Sequence, residues 1–261
     1  MLGFSKDKPI VGVVHLLPLP GSPRFESMES VKERALNDAK DMIQNGVDGL
    51  IIENYGDKPF KKTVSKMTVS ALSAVCSKVK DRFDVPIGLN VLRNDWKSAL
   101  SISHTLDLDF VRINVYSGCY GTPSGYIEGE AGEIQRFREK FDMETFIMAD
   151  IDVKHAKSIY PEDIKTAALD ATERGMADGL IVTGDRTGRA VDLEDLKAAR
   201  ENVNVPIFAG SGVDDQNVID VLRNSDGIIV GTYLKEDGIT SNRVSPERVK
   251  NLVKKVEEIR T

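Results

Sequence analysis

One pattern, repeated eight times, limits what this chain can become. A short β-branched apolar run is followed by a polar loop and then by a longer stretch of helical period. The runs are Ile10–His15, Gly49–Asn54, Val85–Val91, Phe110–Val115, Thr145–Asp152, Gly179–Gly184, Pro206–Gly212 and Gly227–Thr232. Each is nearly continuous in apolar character, as a parallel strand buried on both faces must be. Amphipathic segments lie between them. Ser30–Asn45 carries Val31, Ala35, Leu36, Ala39, Met42 and Ile43 at helical spacing, and Ser65–Phe83, Pro161–Arg174, Leu193–Asn202, Asp214–Asn224 and Pro246–Ile259 behave likewise. Pro161 and Pro246 suit a first helical turn, and Asn45-Gly46 and Arg174-Gly175 suit helix ends.

Eight such units in 261 residues are the count of a (β/α)8 barrel, so the sequence predicts a single barrel domain over residues 1–261. A doubly wound open sheet is the competing architecture. The halves echo each other: Asp48-Gly49-Leu50-Ile51 recurs as Asp178-Gly179-Leu180-Ile181, and Val85-Pro86-Ile87 as Val205-Pro206-Ile207. That points to a duplicated half-barrel. Two long loops, Leu16–Phe25 with its prolines and Tyr116–Gly132 with Tyr116, Tyr120 and Tyr126, follow strands. They belong at the C-terminal face, where barrel active sites are built.

Polar residues cluster at the strand ends. The first six runs supply His15; Glu53 and Asn54; Asn90, Arg93 and Asn94; Arg112 and Asn114; Asp150, Asp152, Lys154 and His155; and Thr183 with Gly184. Burying such groups is costly unless they pair or hold a ligand. A network of Arg112 with Asp150 or Glu53 would satisfy them without one. As a site, the cluster offers His15, Glu53, Asp150, Asp152 and His155 for acid–base chemistry. Asn54, Asn90, Arg93, Asn94, Arg112, Asn114, Lys154 and Thr183 would contact substrate. Lys154 also has the chemistry of a Schiff base, although two neighbouring aspartates favour its charged form. Asp150 and Asp152 share strand parity, and together they suit a divalent cation such as magnesium, the one cofactor the residues suggest. Zinc would want more imidazole than His15, His104 and His155 offer.

The last two runs, together with Gly184 at the end of the sixth, carry a different signal. Gly184, Gly210, Ser211, Gly212, Gly231 and Thr232 stand where many barrels bind phosphate on backbone amides. No Walker or dinucleotide glycine motif is present. The net charge of −6 argues against a nucleic-acid polymer as partner, and no apolar run is long enough to span a bilayer. No leader peptide is visible, and Cys76 and Cys119 lie far apart. Free thiols in the cytoplasm are therefore expected.

Several blocks resemble the BtpA/SgcQ family: Val13-Val14-His15-Leu16-Leu17-Pro18-Leu19-Pro20-Gly21, Glu53-Asn54-Tyr55-Gly56-Asp57-Lys58-Pro59-Phe60, Asn90-Val91-Leu92-Arg93-Asn94-Asp95, and Asp150-Ile151-Asp152-Val153-Lys154-His155-Ala156. Gly210-Ser211-Gly212-Val213 and Val230-Gly231-Thr232 complete the set. The resemblance covers the whole chain and implies a TIM barrel related to the ribulose-phosphate-binding barrels. Its namesake is implicated in photosystem I accumulation in cyanobacteria, and relatives occur in non-photosynthetic organisms. Asp185 and Arg186, after Thr183-Gly184, depart from the family's pattern and add charge at the mouth. The expectation is an isomerase or hydrolase acting on a phosphorylated sugar or nucleotide-like molecule. The alternative is a non-catalytic assembly factor that binds a protein partner. A homo-oligomer is also expected.

Overall fold

The computed structural model describes residues 2–151, 156–160, 163–184 and 191–260. In chain order its strands are β1 (Ile10–His15), β2 (Gly49–Glu53), β3 (Ile87–Asn90), β4 (Phe110–Ile113), β5 (Cys119–Thr122), β6 (Gly125–Glu128), β7 (Phe146–Asp150), β8 (Lys157–Ser158), β9 (Gly179–Val182), β10 (Ile207–Ala209) and β11 (Gly227–Val230). All but β5, β6 and β8 close into one parallel barrel, in the cyclic order β1-β11-β10-β9-β7-β4-β3-β2. The helices α1 (Met28–Gln44), α2 (Lys66–Lys80), α3 (Trp96–Thr105), α4 (Ala131–Lys140), α5 (Ile164–Leu169), α6 (Leu193–Arg200), α7 (Val218–Asn224) and α8 (Pro246–Glu257) alternate with the barrel strands. The expected (β/α)8 barrel is what forms. No helix among the described residues is long and apolar enough to cross a membrane.

Alternation along each strand sorts the side chains into two cores. Val11, Val13, Ile51, Phe110, Met148, Ile181, Phe208 and Ile229 fill the barrel interior. The opposite faces, with Val14, Leu50, Ile52, Leu89 and Leu180, pack under the helices. Close to the strand starts, large rings meet glycines: a methyl at Gly88 would clash with Phe110, and one at Gly227 with Phe208. The inward parity that ends in polar tips therefore begins in a close-packed apolar plug.

The echo between halves has a physical origin at the opposite, N-terminal rim, and it is fourfold. Asp48, Asp109, Asp178 and Asp226 immediately precede β2, β4, β9 and β11. Their carboxylates accept from the amides of Ile10, Ile87, Ile147 and Ile207, at 2.8, 2.8, 2.8 and 2.9 Å. Their own amides donate back to the carbonyls of the same four residues. Each aspartate also meets a base in the last turn of a helix or just beyond it: Arg260, after α8, on Asp48, Lys80 on Asp109, Arg138 on Asp178 and Arg200 on Asp226. β1, β3, β7 and β10 are thus each fastened at the start to the next barrel strand, β2, β4, β9 and β11. Asp178→Ala should cost about 1–2 kcal/mol in urea unfolding, and Asp178→Asn, which keeps an acceptor, should cost less. Equal stability of both variants and the wild type would show the clamp to be idle.

Two elements differ from expectation. The Tyr116–Gly132 loop is not bare: β5 and β6 form a hairpin, and β8 joins it through the pairs Tyr120–Ser158 and Gly121–Lys157. The helix expected over Asp214–Asn224 begins only at Val218. Asp214 holds the amides of Gln216 and Asn217, while Asn217 donates to the Gly212 carbonyl, so this stretch closes as a turn. Pro161 lies outside the described residues, and α5 is capped by Asp163, whose carboxylate accepts from the Thr166 amide. Pro246 does open α8, behind the Ser245 cap.

Candidate functional site

The C-terminal ends of the strands open into a bowl of about 370 Å³. Its floor is set by strand parity. Behind the apolar interior, the next inward positions are His15, Glu53, Asn90, Arg112 and Asp150. His15, Glu53, Arg93, Arg112, Asn114, Gly210, Ser211, Gly212, Gly231 and Thr232 all line the bowl, so most of the residues singled out in the sequence converge there.

The Arg112 guanidinium grips Asp150 with two hydrogen bonds, Nε to Oδ1 at 2.8 Å and Nη2 to Oδ2 at 2.9 Å. Asn114 donates to the same carboxylate at 2.8 Å, and Asn90 donates to Asn114 and to the Arg112 carbonyl. Burial works against the Arg112 cation, but Asp150 and the more distant Glu53 outweigh it and hold its pKa above the ordinary value. Asp150 is 3% exposed and lies beneath the bowl wall. The network anticipated between Arg112 and Asp150 is therefore present. Its carboxylate is fully engaged by Arg112 and Asn114. Among the described residues no three His, Cys, Asp or Glu side chains gather closely enough to hold a metal ion.

The Glu53–Phe60 block becomes intelligible residue by residue. Glu53 faces the bowl, with His15 Nε2 at 3.8 Å. Asn54 turns the other way: its Oδ1 accepts from the Leu92 amide at 2.7 Å and its Nδ2 reaches Asp57 and the Leu92 carbonyl, which fixes the backbone just before Arg93. Gly56 has no side chain because the Leu16–Pro18 backbone runs across it, with Pro18 N only 2.4 Å from where a Cβ would stand. Asp57 accepts from the Leu19 amide, and burial raises its pKa despite that bond. Tyr55 packs edge-on to His15, with ring centroids 4.9 Å apart, and the Lys58 ammonium sits 3.5 Å above the Tyr55 ring.

Other predicted contacts are placed elsewhere. Asn94 pairs both its amide atoms with the Val115 backbone, which clamps two loops together. Asn54, Asn90, Asn94, Thr183 and Gly184 do not line the bowl. Arg93 does line it, 8% exposed; burial lowers its pKa, Asp150 opposes that, and Arg112 adds to it. Asp152, Lys154 and His155 lie outside the described residues, as do Asp185 and Arg186. His104 is exposed on α3.

At the other side of the bowl, Gly212 adopts φ +60°, a left-handed conformation open mainly to glycine. Gly231 is pressed against His15: a Cβ there would stand 2.6 Å from His15 Cε1. Beyond it, Thr232–Leu234 forms a single 3-10 turn whose first internal bond runs from the Leu234 amide to the Gly231 carbonyl. The Thr232 and Tyr233 amides come before that bond, where a helical turn leaves donors available. Sequence reasoning missed Tyr55, Lys58, Phe60, Tyr233, Thr240 and Arg248, all of which line the bowl. Lys58 lay in the block that carried the resemblance. Arg248, on α8, gave no signal in the chain: its guanidinium stacks 4.4 Å from the Tyr233 ring centre and donates to the Tyr233 carbonyl.

Comparison with known proteins gives a consistent picture. The sequence pattern of the BtpA family matches residues 6–258. Protein PH1209 of Pyrococcus horikoshii is 46% identical over 255 residues, covering 97% of this chain and 98% of its own. The photosystem I biogenesis protein BtpA of Synechocystis is 39% identical, covering 98% and 90%. Among solved structures, (S)-3-O-geranylgeranylglyceryl phosphate synthase from Thermoplasma acidophilum, in complex with its substrate sn-glycerol-1-phosphate, matches with a TM-score of 0.61 at 15% identity, covering 97% and 94%. Thiamine phosphate pyrophosphorylase from Pyrococcus furiosus matches at 0.59 and 16%, covering 96% of each chain. These two likenesses speak to the fold.

Proposed function

The chain belongs to the BtpA family, and from that premise we propose that it is an enzyme acting on a phosphorylated sugar or nucleotide-like small molecule. The observation that carries this reading is the seat formed by Gly212, Gly231, Thr232 and Tyr233, after the seventh and eighth barrel strands and beside the polar bowl. Backbone amides at that place suit a phosphate, and the Thermoplasma neighbour's phosphorylated substrate agrees with it. His15 and Glu53, 3.8 Å apart on the first two strands, are the pair for proton transfer. Arg112, fixed by Asp150, and Arg93 would orient the polar part of the substrate. Isomerisation and hydrolysis both fit this arrangement.

A ligand screen by thermal shift tests the reading. Phosphorylated metabolites and inorganic phosphate should stabilise the wild type. Gly212→Asp should abolish that stabilisation, because it places a negative charge at the seat while aspartate tolerates a left-handed backbone better than most residues. A screen in which no phosphorylated compound stabilises the protein would overturn the proposal. It would favour the second reading, a partner-binding assembly factor. That reading draws on the Synechocystis relative's name and on Tyr126 and Tyr160, 69% and 68% exposed on and beside the three-stranded sheet.

A further inference from the structure

Two cations lining the bowl, Lys58 and Arg248, form no ion pair among the described residues. Arg112 is answered by Asp150, and Glu53 stands by His15. Lys58 and Arg248 have no carboxylate within 4 Å among the described residues, although both line the bowl. Each is held in place by other means. The Lys58 ammonium rests on the Tyr55 ring, and the Arg248 guanidinium rests on the Tyr233 ring and is tied to the Tyr233 carbonyl. An aromatic face beneath a cation keeps it positioned without cancelling its charge for a third group.

Their placement relative to one another is informative. Arg248 stands at Tyr233, on the amide seat. Gly231 of that seat abuts the His15 ring, His15 meets Tyr55, and Tyr55 carries Lys58. The order around this wall is anion seat with Arg248, then His15 beside Glu53, then Tyr55 with Lys58. The proton-transfer pair therefore lies between two cations.

We infer that the bowl takes a small molecule with two acidic ends, a phosphate held at Arg248 and the amide seat and a carboxylate or second phosphate held at Lys58, with the reacting carbons beside His15. This rests on the phosphate reading above and narrows its substrate class. A ligand with one anionic end would leave Lys58 desolvated and unanswered, whereas a second acidic group gains a charge-assisted bond there.

Titration calorimetry with inorganic phosphate, sn-glycerol 1-phosphate and 3-phosphoglycerate tests it. The last two are both three-carbon phosphates, and only 3-phosphoglycerate carries a carboxylate. It should bind about tenfold more tightly than glycerol phosphate, the effect of one added charge-assisted hydrogen bond. Lys58→Met should erase that preference and leave glycerol phosphate binding unchanged. Lys58→Arg should retain most of it, and Arg248→Met should weaken all three ligands. Circular dichroism melting of each variant without ligand would confirm that the fold is kept. Equal affinity for the two three-carbon ligands, or a preference that survives Lys58→Met, overturns the two-ended ligand and leaves the phosphate seat standing. Failure of all three, inorganic phosphate included, to bind the wild type overturns the seat and this inference together.

Discussion

Asp150→Ala should destabilise the protein by about 3–5 kcal/mol, because it strands a buried guanidinium. Arg112 and Asp150 side chains are 6% and 0% exposed, and the carboxylate answers both the guanidinium and Asn114. Removing it leaves the cation with the burial cost and without the partner that outweighs it. For a chain of this size the loss corresponds to a melting temperature lower by about 10 °C. Arg112→Met combined with Asp150→Leu should recover most of the stability, since the penalty comes from the orphaned charge rather than from the missing pair. Chemical denaturation of the two variants checks both statements. A mild effect of Asp150→Ala would mean that water reaches Arg112, and the bowl floor would then be wetter than the packing shows.

The second large effect is expected on the far side of α1. Asp38 accepts from Lys235 at 2.8 Å, from Arg34 Nε and from the Val244 amide, and the Lys235 side chain is fully buried. This pins residues 235–244, which include the bowl-lining Gly238 and Thr240, to the first helix. Asp38→Ala should cost about 3–5 kcal/mol. Lys235→Met should cost less, because Asp38 keeps Arg34 and the Val244 amide. The pH dependence carries a definite sign. Burial already lowers the Lys235 pKa below 10.5, with Asp38 opposing. Between that lowered value and 10.5 the unfolded chain binds more protons than the folded one, so this group makes stability rise with pH. Asp38→Ala removes the opposing charge, widens that window, and should steepen the alkaline rise. A flat profile in the variant would contradict the assignment.

Much of the fold could be read from the chain because strands buried on both faces advertise themselves. Ile10–His15 forms over the expected residues, and Gly49 and Gly227 open strands as read. The Asp-Gly echo was half of a larger regularity. Asp109-Phe110 and Asp226-Gly227 perform the same clamp without sharing all the letters, so only geometry joins the four. The hairpin of β5 and β6 escaped notice because its strands are short and glycine-bearing, and one of them pairs with residues some forty positions away in sequence.

The site was legible where function follows strand parity and obscure elsewhere. His15, Glu53 and Arg112 are inward tips, and their convergence follows from the barrel. Asn54 and Asn94 have the chemistry of ligand contacts, yet they serve the backbone, and residue type alone does not separate the two uses. Lys58 and Arg248 stand several residues from any strand end, and only the folded chain brings them to the bowl.

The most direct measurement is a crystal structure grown with sn-glycerol 1-phosphate. Phosphate oxygens should stand about 3 Å from the Thr232 and Tyr233 amide nitrogens. A bowl without bound phosphate at saturating ligand, or phosphate bound only on the outer surface, would contradict this.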